Sequence, residues 1–244
     1  MKNIFPYISI YPIFKNPSIL YKPMHCLLIT LYLLVAHLII AAPLPFVIKD
    51  YPTLSKKRLE LTTAYANQHY GMNTYLLQNP KIIVIHYTAL PTLKMSLGAF
   101  KADTISNHRT KLSPYGRVNV GTHFVVDRSG VVYSLLPTTV MGRHTMGYNH
   151  VAIGIENVGT DESNLTDEQV NANASLIAFL MAKHPSIDHI IGHIDYMNRS
   201  LPHFKYFLQK DKNYNPMIKI DPGWGFMKKV NTQLRYEYGI HINK

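Results

Sequence analysis

The chain has 244 residues, 47% of them hydrophobic and 16% charged, which allows one domain with a sizeable core and excludes a disordered chain. Its single cysteine, Cys26, excludes an internal disulfide and any cysteine-rich metal site. The net charge of +11 suits an anionic polymer or membrane surface, but the basic residues are scattered, with no RNA-binding motif and no arginine-rich helix, so nucleic acid is not an expected partner.

Residues 1–42 contain Lys2, Lys15 and Lys22 and no acidic residue, which leaves +8 on the remainder. Within them, residues 27–42 (LLITLYLLVAHLIIAA) form an apolar run that is short of the roughly 20 residues a membrane-spanning helix needs. It fits the core of a signal peptide ending in Ala41 and Ala42. Pro43 directly after it, and the long leader before it, keep an uncleaved N-terminal membrane anchor open, and Met24 is an alternative start. Either reading sends the rest of the chain to the periplasm or cell envelope, secreted or held at the membrane by this segment. Residues 43–79 read as an N-terminal extension with one helix, and 80–244 as the main domain.

Ser55 is placed to cap a helix over 56–69 that stops at Gly71, with Leu61, Tyr65 and His69 at helical spacing. KIIVIH, at 81–86, reads as a buried strand. A second helix is predicted over 94–108, with Leu97 and Phe100 inward. GTHFVVDRSGVVYSLLP predicts two strands joined by an Asp-Arg-Ser-Gly turn. VAIGIE (151–156) is another short strand. Thr166 and Gln169 form a capping box for a helix running to about Lys183. HIIGH is a last strand ending at His193, residues 198–220 a long loop, and a final helix follows Pro222. Strands alternating with helices, with one hairpin among them, predict an α/β domain: a central mixed sheet flanked by helices.

Chemistry concentrates where strands end. His86 closes IIVIH, Glu156 closes VAIGIE and His193 closes HIIGH, and strand ends are where ligand sites gather in open α/β sheets. Alternation sets Glu156 opposite Ile153 and Ile155, and His86 opposite Ile83 and Ile85. In the run KIDPG, Lys219 and Asp221 are two apart, so in extended chain they share a face. Two neutral imidazoles and a carboxylate, with a fourth position left for water, make a catalytic zinc site. Taken singly, each signal has a plain structural reading: a packed histidine, an ion-pair glutamate, an Asp-Pro-Gly turn. Spacing alone does not single out His86 and His193 from thirteen histidines.

At these residues the sequence resembles the type-2 N-acetylmuramoyl-L-alanine amidases, the group that includes peptidoglycan recognition proteins and phage amidase lysozymes. The resemblance runs, in order, through KIIVIHYTAL, VGTHFVVDRSGVVYSLLP, GRHTMGYNHVAIGIENVG, IIGHIDY and KIDPGWGF, over about residues 80–227. It implies a zinc site at the strand ends, with His86, His193 and Asp221 as ligands, Glu156 as the catalytic glutamate, and Lys219 as the lysine stabilising charge at the reacting carbonyl. The implied reaction is zinc-dependent hydrolysis of the amide bond between N-acetylmuramic acid and L-alanine, on peptidoglycan or muropeptides. His144, Asn149 and Trp224 are expected to line the substrate groove, whereas His123, mid-strand, is expected to be structural. Thr122 stands where some phage members carry a catalytic tyrosine. Two other readings compete: a recognition module that holds muropeptides without cutting them, and a zinc peptidase, which the absence of an HExxH helix opposes.

Overall fold

A computed structural model describes residues 47–241; the apolar run at 27–42, and with it the choice between signal peptide and anchor, lies outside them. Six strands form one mixed sheet: β1 (Ile48–Asp50), β2 (Ile82–Tyr87), β3 (Phe124–Val126), β4 (Val132–Ser134), β5 (Ala152–Asn157) and β6 (His189–Gly192). Their order is β1-β4-β3-β5-β2-β6. Only the β3–β4 hairpin is antiparallel; its Asp127–Gly130 turn has Gly130 at φ 80°, where a side chain would be strained. The β-branched cores of β2, β5 and β6 place these strands side by side at the centre, buried on both faces as parallel strands require.

Four helices complete the domain: α1 (Lys56–Tyr70), α2 (Leu93–Lys101), α3 (Asp167–Lys183) and α4 (Trp224–Tyr238). Among the described residues, no helix is long and apolar enough to cross a membrane. The caps read from the sequence are present. The Ser55 side chain accepts from Arg58 N, Gly71 takes the left-handed C-cap conformation, and Thr166 and Gln169 exchange both bonds of the capping box. α3 and α4 pack on one sheet face, with Ile177, Leu180, Val230 and Leu234 against Ile83, Ile85, Ile153 and Ile155. Each such side chain, fully removed from water, stabilises the fold by roughly 1.5–3 kcal/mol. The other face carries Ile82, Val84 and Ala152 under Tyr148, and by alternation His86 lies on that face.

Three local expectations differ from the structure. α2 ends at Lys101 rather than 108, because its last carbonyls are taken by side chains. Asn119 Nδ2 donates to Ala99 O at 2.9 Å, and Arg58 donates to Phe100 O at 2.7 Å and Ala102 O at 2.5 Å. β6 stops at Gly192, one residue before His193, because Ile194 N turns away from the sheet to donate to Asp221 O at 2.7 Å. β1, which carries no pattern in the sequence, is a three-residue edge strand lying parallel to β4. α1 itself contributes Tyr65, Ala66 and Tyr70 to the same core as the sheet.

Candidate active site

Sheet register assembles the site's floor. In the parallel β2–β5 pair, His86 is the direct Cα partner of Glu156. In the β2–β6 pair Ile85 is opposite Gly192, so His193, the next residue, stands beside His86. The third donor comes from a loop. Asp221 lies three residues before the first residue of α4, with a cis peptide to Pro222, and its carbonyl is anchored by Ile194 N. The start of α4 has no side-chain cap of its own; Glu162 Oε1, from across the chain, accepts from Phe226 N at 2.8 Å. Gly223 and Gly225 leave the space that the Glu162 carboxylate occupies.

Three donor atoms converge. His86 Nδ1 is 3.0 Å from His193 Nδ1 and 3.1 Å from Asp221 Oδ2, and His193 Nδ1 is 3.1 Å from that same oxygen. Burial first, then the neighbouring His86, hold His193 down to about 4, so its ring is neutral at pH 7. Burial alone pushes the Asp221 carboxyl up. Close polar contact with the His193 and His86 rings outweighs it and holds the group well below the usual carboxylate range. Two imidazoles and a carboxylate are a zinc donor set, and tetrahedral ligands about 2.0–2.1 Å from an ion stand roughly 3.3 Å from one another. Both the chemistry and the spacing of this triangle therefore fit zinc.

Glu156 stands beside that triangle with Oε2 buried and, among the described residues, without a hydrogen-bond partner. Desolvation raises its pKa to about 7; Asp221 adds to the rise, while His86, Lys219 and Arg109 oppose it. A proton affinity near neutrality is what a general base needs. A cleft of about 380 Å³ opens over these groups. It is lined by His86, Glu156, His193, Lys219 and Asp221, by the apolar Leu90, Phe100, Leu112 and Val120, and by Arg109. Lys219 thus shares the cleft with Asp221, as their spacing in KIDPG suggests. Arg109, a further cation lining the cleft, gave no signal in the sequence.

The expected groove residues fare differently. His144 lines the cleft, but its Nδ1 is 3.2 Å from His86 Nε2, and burial holds its pKa well below the ordinary value. Asn149 does not belong in the groove. It is 0% exposed, and its side chain is used up within the 144–149 turn and on Tyr65, so no surface remains for a ligand. Trp224 is 59% exposed and does not line the cleft; as the first residue of α4 it is turned to solvent. His123 is a structural histidine: Nε2–H donates to Val140 O and Nδ1 accepts from Gly154 N, both at 2.9 Å. Arg143 was not singled out by the sequence. Its buried guanidinium donates to the carbonyls of Leu112, Gly116 and Val118 at 2.6–2.9 Å, which pins one wall of the cleft.

The sequence model of a family described as N-acetylmuramoyl-L-alanine amidase matches residues 76–223. The endolysin of Enterobacteria phage T3 is 31% identical over 114 residues, 44% of this chain and 74% of that protein. The 1,6-anhydro-N-acetylmuramyl-L-alanine amidase AmpD of Haemophilus influenzae is 27% identical over 165 residues, 61% of this chain and 79% of that one. Among solved structures, human PGRP-IBETAC in complex with glycosamyl muramyl pentapeptide superposes with a TM-score of 0.47 at 18% identity, covering 75% of this chain and 94% of that one. The endolysin amidase LysCS from Clostridium intestinale gives a TM-score of 0.42 at 23% identity, over 63% and 86%.

Proposed function

The chain belongs to the N-acetylmuramoyl-L-alanine amidase family, and from that membership we propose that it hydrolyses the amide bond joining the lactyl group of N-acetylmuramic acid to L-alanine in peptidoglycan, with zinc as cofactor. The observation that carries this reading is the convergence of three zinc donors beside a buried carboxyl tuned to about 7. His86, His193 and Asp221 would hold the ion, which supplies Lewis-acid polarisation of the scissile carbonyl and of the attacking water.

The chain's own residues do the rest. Glu156, ionised, accepts the proton that water loses as its oxygen bonds to the carbonyl carbon. The same carboxyl then passes that proton to the amine of L-alanine as the carbon–nitrogen bond breaks. The Lys219 ammonium, in the same cleft, supports the negative charge developing on the carbonyl oxygen, an electrostatic contribution that is commonly the largest in such reactions. Phe100, Leu112 and Val120 give one wall an apolar surface. Arg109 supplies a second cation, suited to a carboxylate on the peptide stem. We further propose that residues 1–42 direct the domain out of the cytoplasm, where this substrate is found.

The protein, prepared with zinc, with EDTA, and as Glu156→Gln, is to be incubated with purified peptidoglycan and the products read by mass spectrometry. Stem peptides beginning at L-alanine, lost with EDTA and in the variant, are the expected result. Peptidoglycan bound but uncut in all three samples would replace this reading with a recognition module.

A further inference from the structure

Both ring nitrogens of His86 are engaged. Nδ1 faces the other two donors, and Nε2 lies 3.2 Å from His144 Nδ1 and 3.2 Å from Thr145 Oγ1. The proton inventory along this second side is consistent. His144 Nε2 lies 3.4 Å from the Ala152 carbonyl, which can only accept, so its proton sits there and His144 Nδ1 is left as an acceptor. The remaining N–H of His86 then points at His144 and Thr145, and its lone pair is left on Nδ1.

What keeps His144 and Thr145 in place is equally specific. Their backbone N–H groups both donate to Asn149 Oδ1, at 3.0 and 2.8 Å. Asn149 Nδ2 donates to Tyr65 Oη at 2.9 Å. Thr145 and Asn149 are fully buried and Tyr65 is 2% exposed, so none of these bonds is exchanged freely with water. Gly154, on the neighbouring strand, leaves the room that the His144 ring fills: a Cβ there would come within 2.7 Å of it. Tyr65 belongs to α1, ahead of the matched stretch 76–223. A continuous chain of buried hydrogen bonds therefore runs from α1 to His86.

We propose that Tyr65, Asn149, Thr145 and His144 are positioning residues that fix the ring orientation and tautomer of His86 as a metal ligand. The inference rests on the zinc reading of the site. A ligating imidazole whose other N–H is held by an acceptor keeps its lone pair aimed and becomes more basic, and loss of such outer partners typically weakens metal binding 10–100-fold. In a substrate-binding role, His144 would instead affect the Michaelis constant and leave metal affinity alone.

The test uses the full chain, stripped of metal, with zinc affinity measured by competition against a chromophoric chelator. The visible spectrum of the cobalt(II) form gives a second readout of ligand geometry. His144→Leu combined with Thr145→Val removes both acceptors and is expected to weaken zinc by about 10–100-fold and to alter the cobalt bands. His144→Asn, which keeps an acceptor near the Nδ1 position, is expected to stay within about 3-fold of the parent, and Tyr65→Phe to lose about 3-fold, less because it acts through intervening links. A folded double variant with the parent's zinc affinity and cobalt spectrum overturns the inference. If the double variant does not fold, Tyr65→Phe decides, and unchanged affinity and spectrum there overturn it. A parent protein that takes up no zinc overturns the zinc reading of the site instead.

Discussion

In the metal-free protein, Glu156→Gln should stabilise the fold, and the gain should grow with pH. Burial raises the Glu156 carboxyl from its ordinary 4.5 to about 7. A folded pKa above the unfolded one means that the carboxyl's contribution is intact below about 4.5 and is lost as pH rises through about 7. A shift of that size corresponds to roughly 3 kcal/mol when the group is fully ionised. One side of Glu156 borders the cleft, where water screens part of this, so about 1.5–3 kcal/mol is expected at pH 8. Glutamine carries no charge and escapes that cost. For a domain of this size the gain is roughly 3–12 °C in thermal midpoint. The assay is thermal unfolding of parent and variant in EDTA from pH 5 to 9. Any fixed offset, such as the glutamine amide's own unmet hydrogen bond, is constant with pH, so the slope is the observable. A difference that stays flat, or shrinks toward pH 9, would refute the burial argument. Added zinc should narrow the difference, since a dication beside the carboxylate favours its ionised form.

Asp221→Ala should weaken zinc retention at least about 10-fold, read as metal content after dialysis against a mild chelator, because a charged donor is lost from the triangle. Gly223→Ala should destabilise the protein by about 1–3 kcal/mol in urea unfolding, since the residue sits at φ 99° and a methyl group would meet the Glu162 carboxylate that caps α4. Arg143→Met should cost about 2–4 kcal/mol in the same assay and raise the Michaelis constant, because the carbonyls of Leu112, which lines the cleft, and of Gly116 and Val118 behind it lose their donor. Residues 1–42 fused to an enzyme active only outside the cytoplasm should carry it there; reporter activity confined to the cytosol would refute export.

The residues that meet at the site were legible because they lie at strand ends and strand ends are patterned. β-branched runs predicted β2, β5 and β6, and their shared register then brought His86, Glu156 and His193 together without further information. Asp221 and Lys219 are different. They lie on a loop with no periodicity, and what holds Asp221 is a backbone bond from Ile194 and a cap on α4 supplied by Glu162, some sixty positions away. Their spacing in KIDPG set them on one face, but only resemblance gave them roles. The errors share a cause. α2 was expected to run on to 108 with Leu97 and Phe100 inward, and it ends early because Arg58 and Asn119, remote in sequence, capture its carbonyls. Asn149 was expected in the groove because its stretch, RHTMGYNH, resembles one that lines the groove in the family. It is instead consumed in satisfying the buried backbone of the 144–149 turn, a demand that appears only when the loop is folded inward.

The boundary of the matched sequence and the boundary of the folded unit do not coincide, and the difference has a physical content. The match begins at residue 76, whereas the core already includes Tyr65, Ala66 and Tyr70 of α1. The polar side of that helix is committed as well. Arg58 holds the end of α2, Tyr65 holds Asn149, and the two nitrogens of His69 meet Gln209 and the Tyr115 carbonyl. The bonds of Arg58 and Tyr65 end on segments that border the cleft or hold the 144–149 turn beside it. Without α1, the carbonyls of Phe100 and Ala102 and the side chain of Asn149 would lose buried partners, at about 1–3 kcal/mol each. Against a total stability of about 5–15 kcal/mol for a typical domain, that is a large fraction. α1 is therefore part of what shapes the site, although it supplies none of the donors.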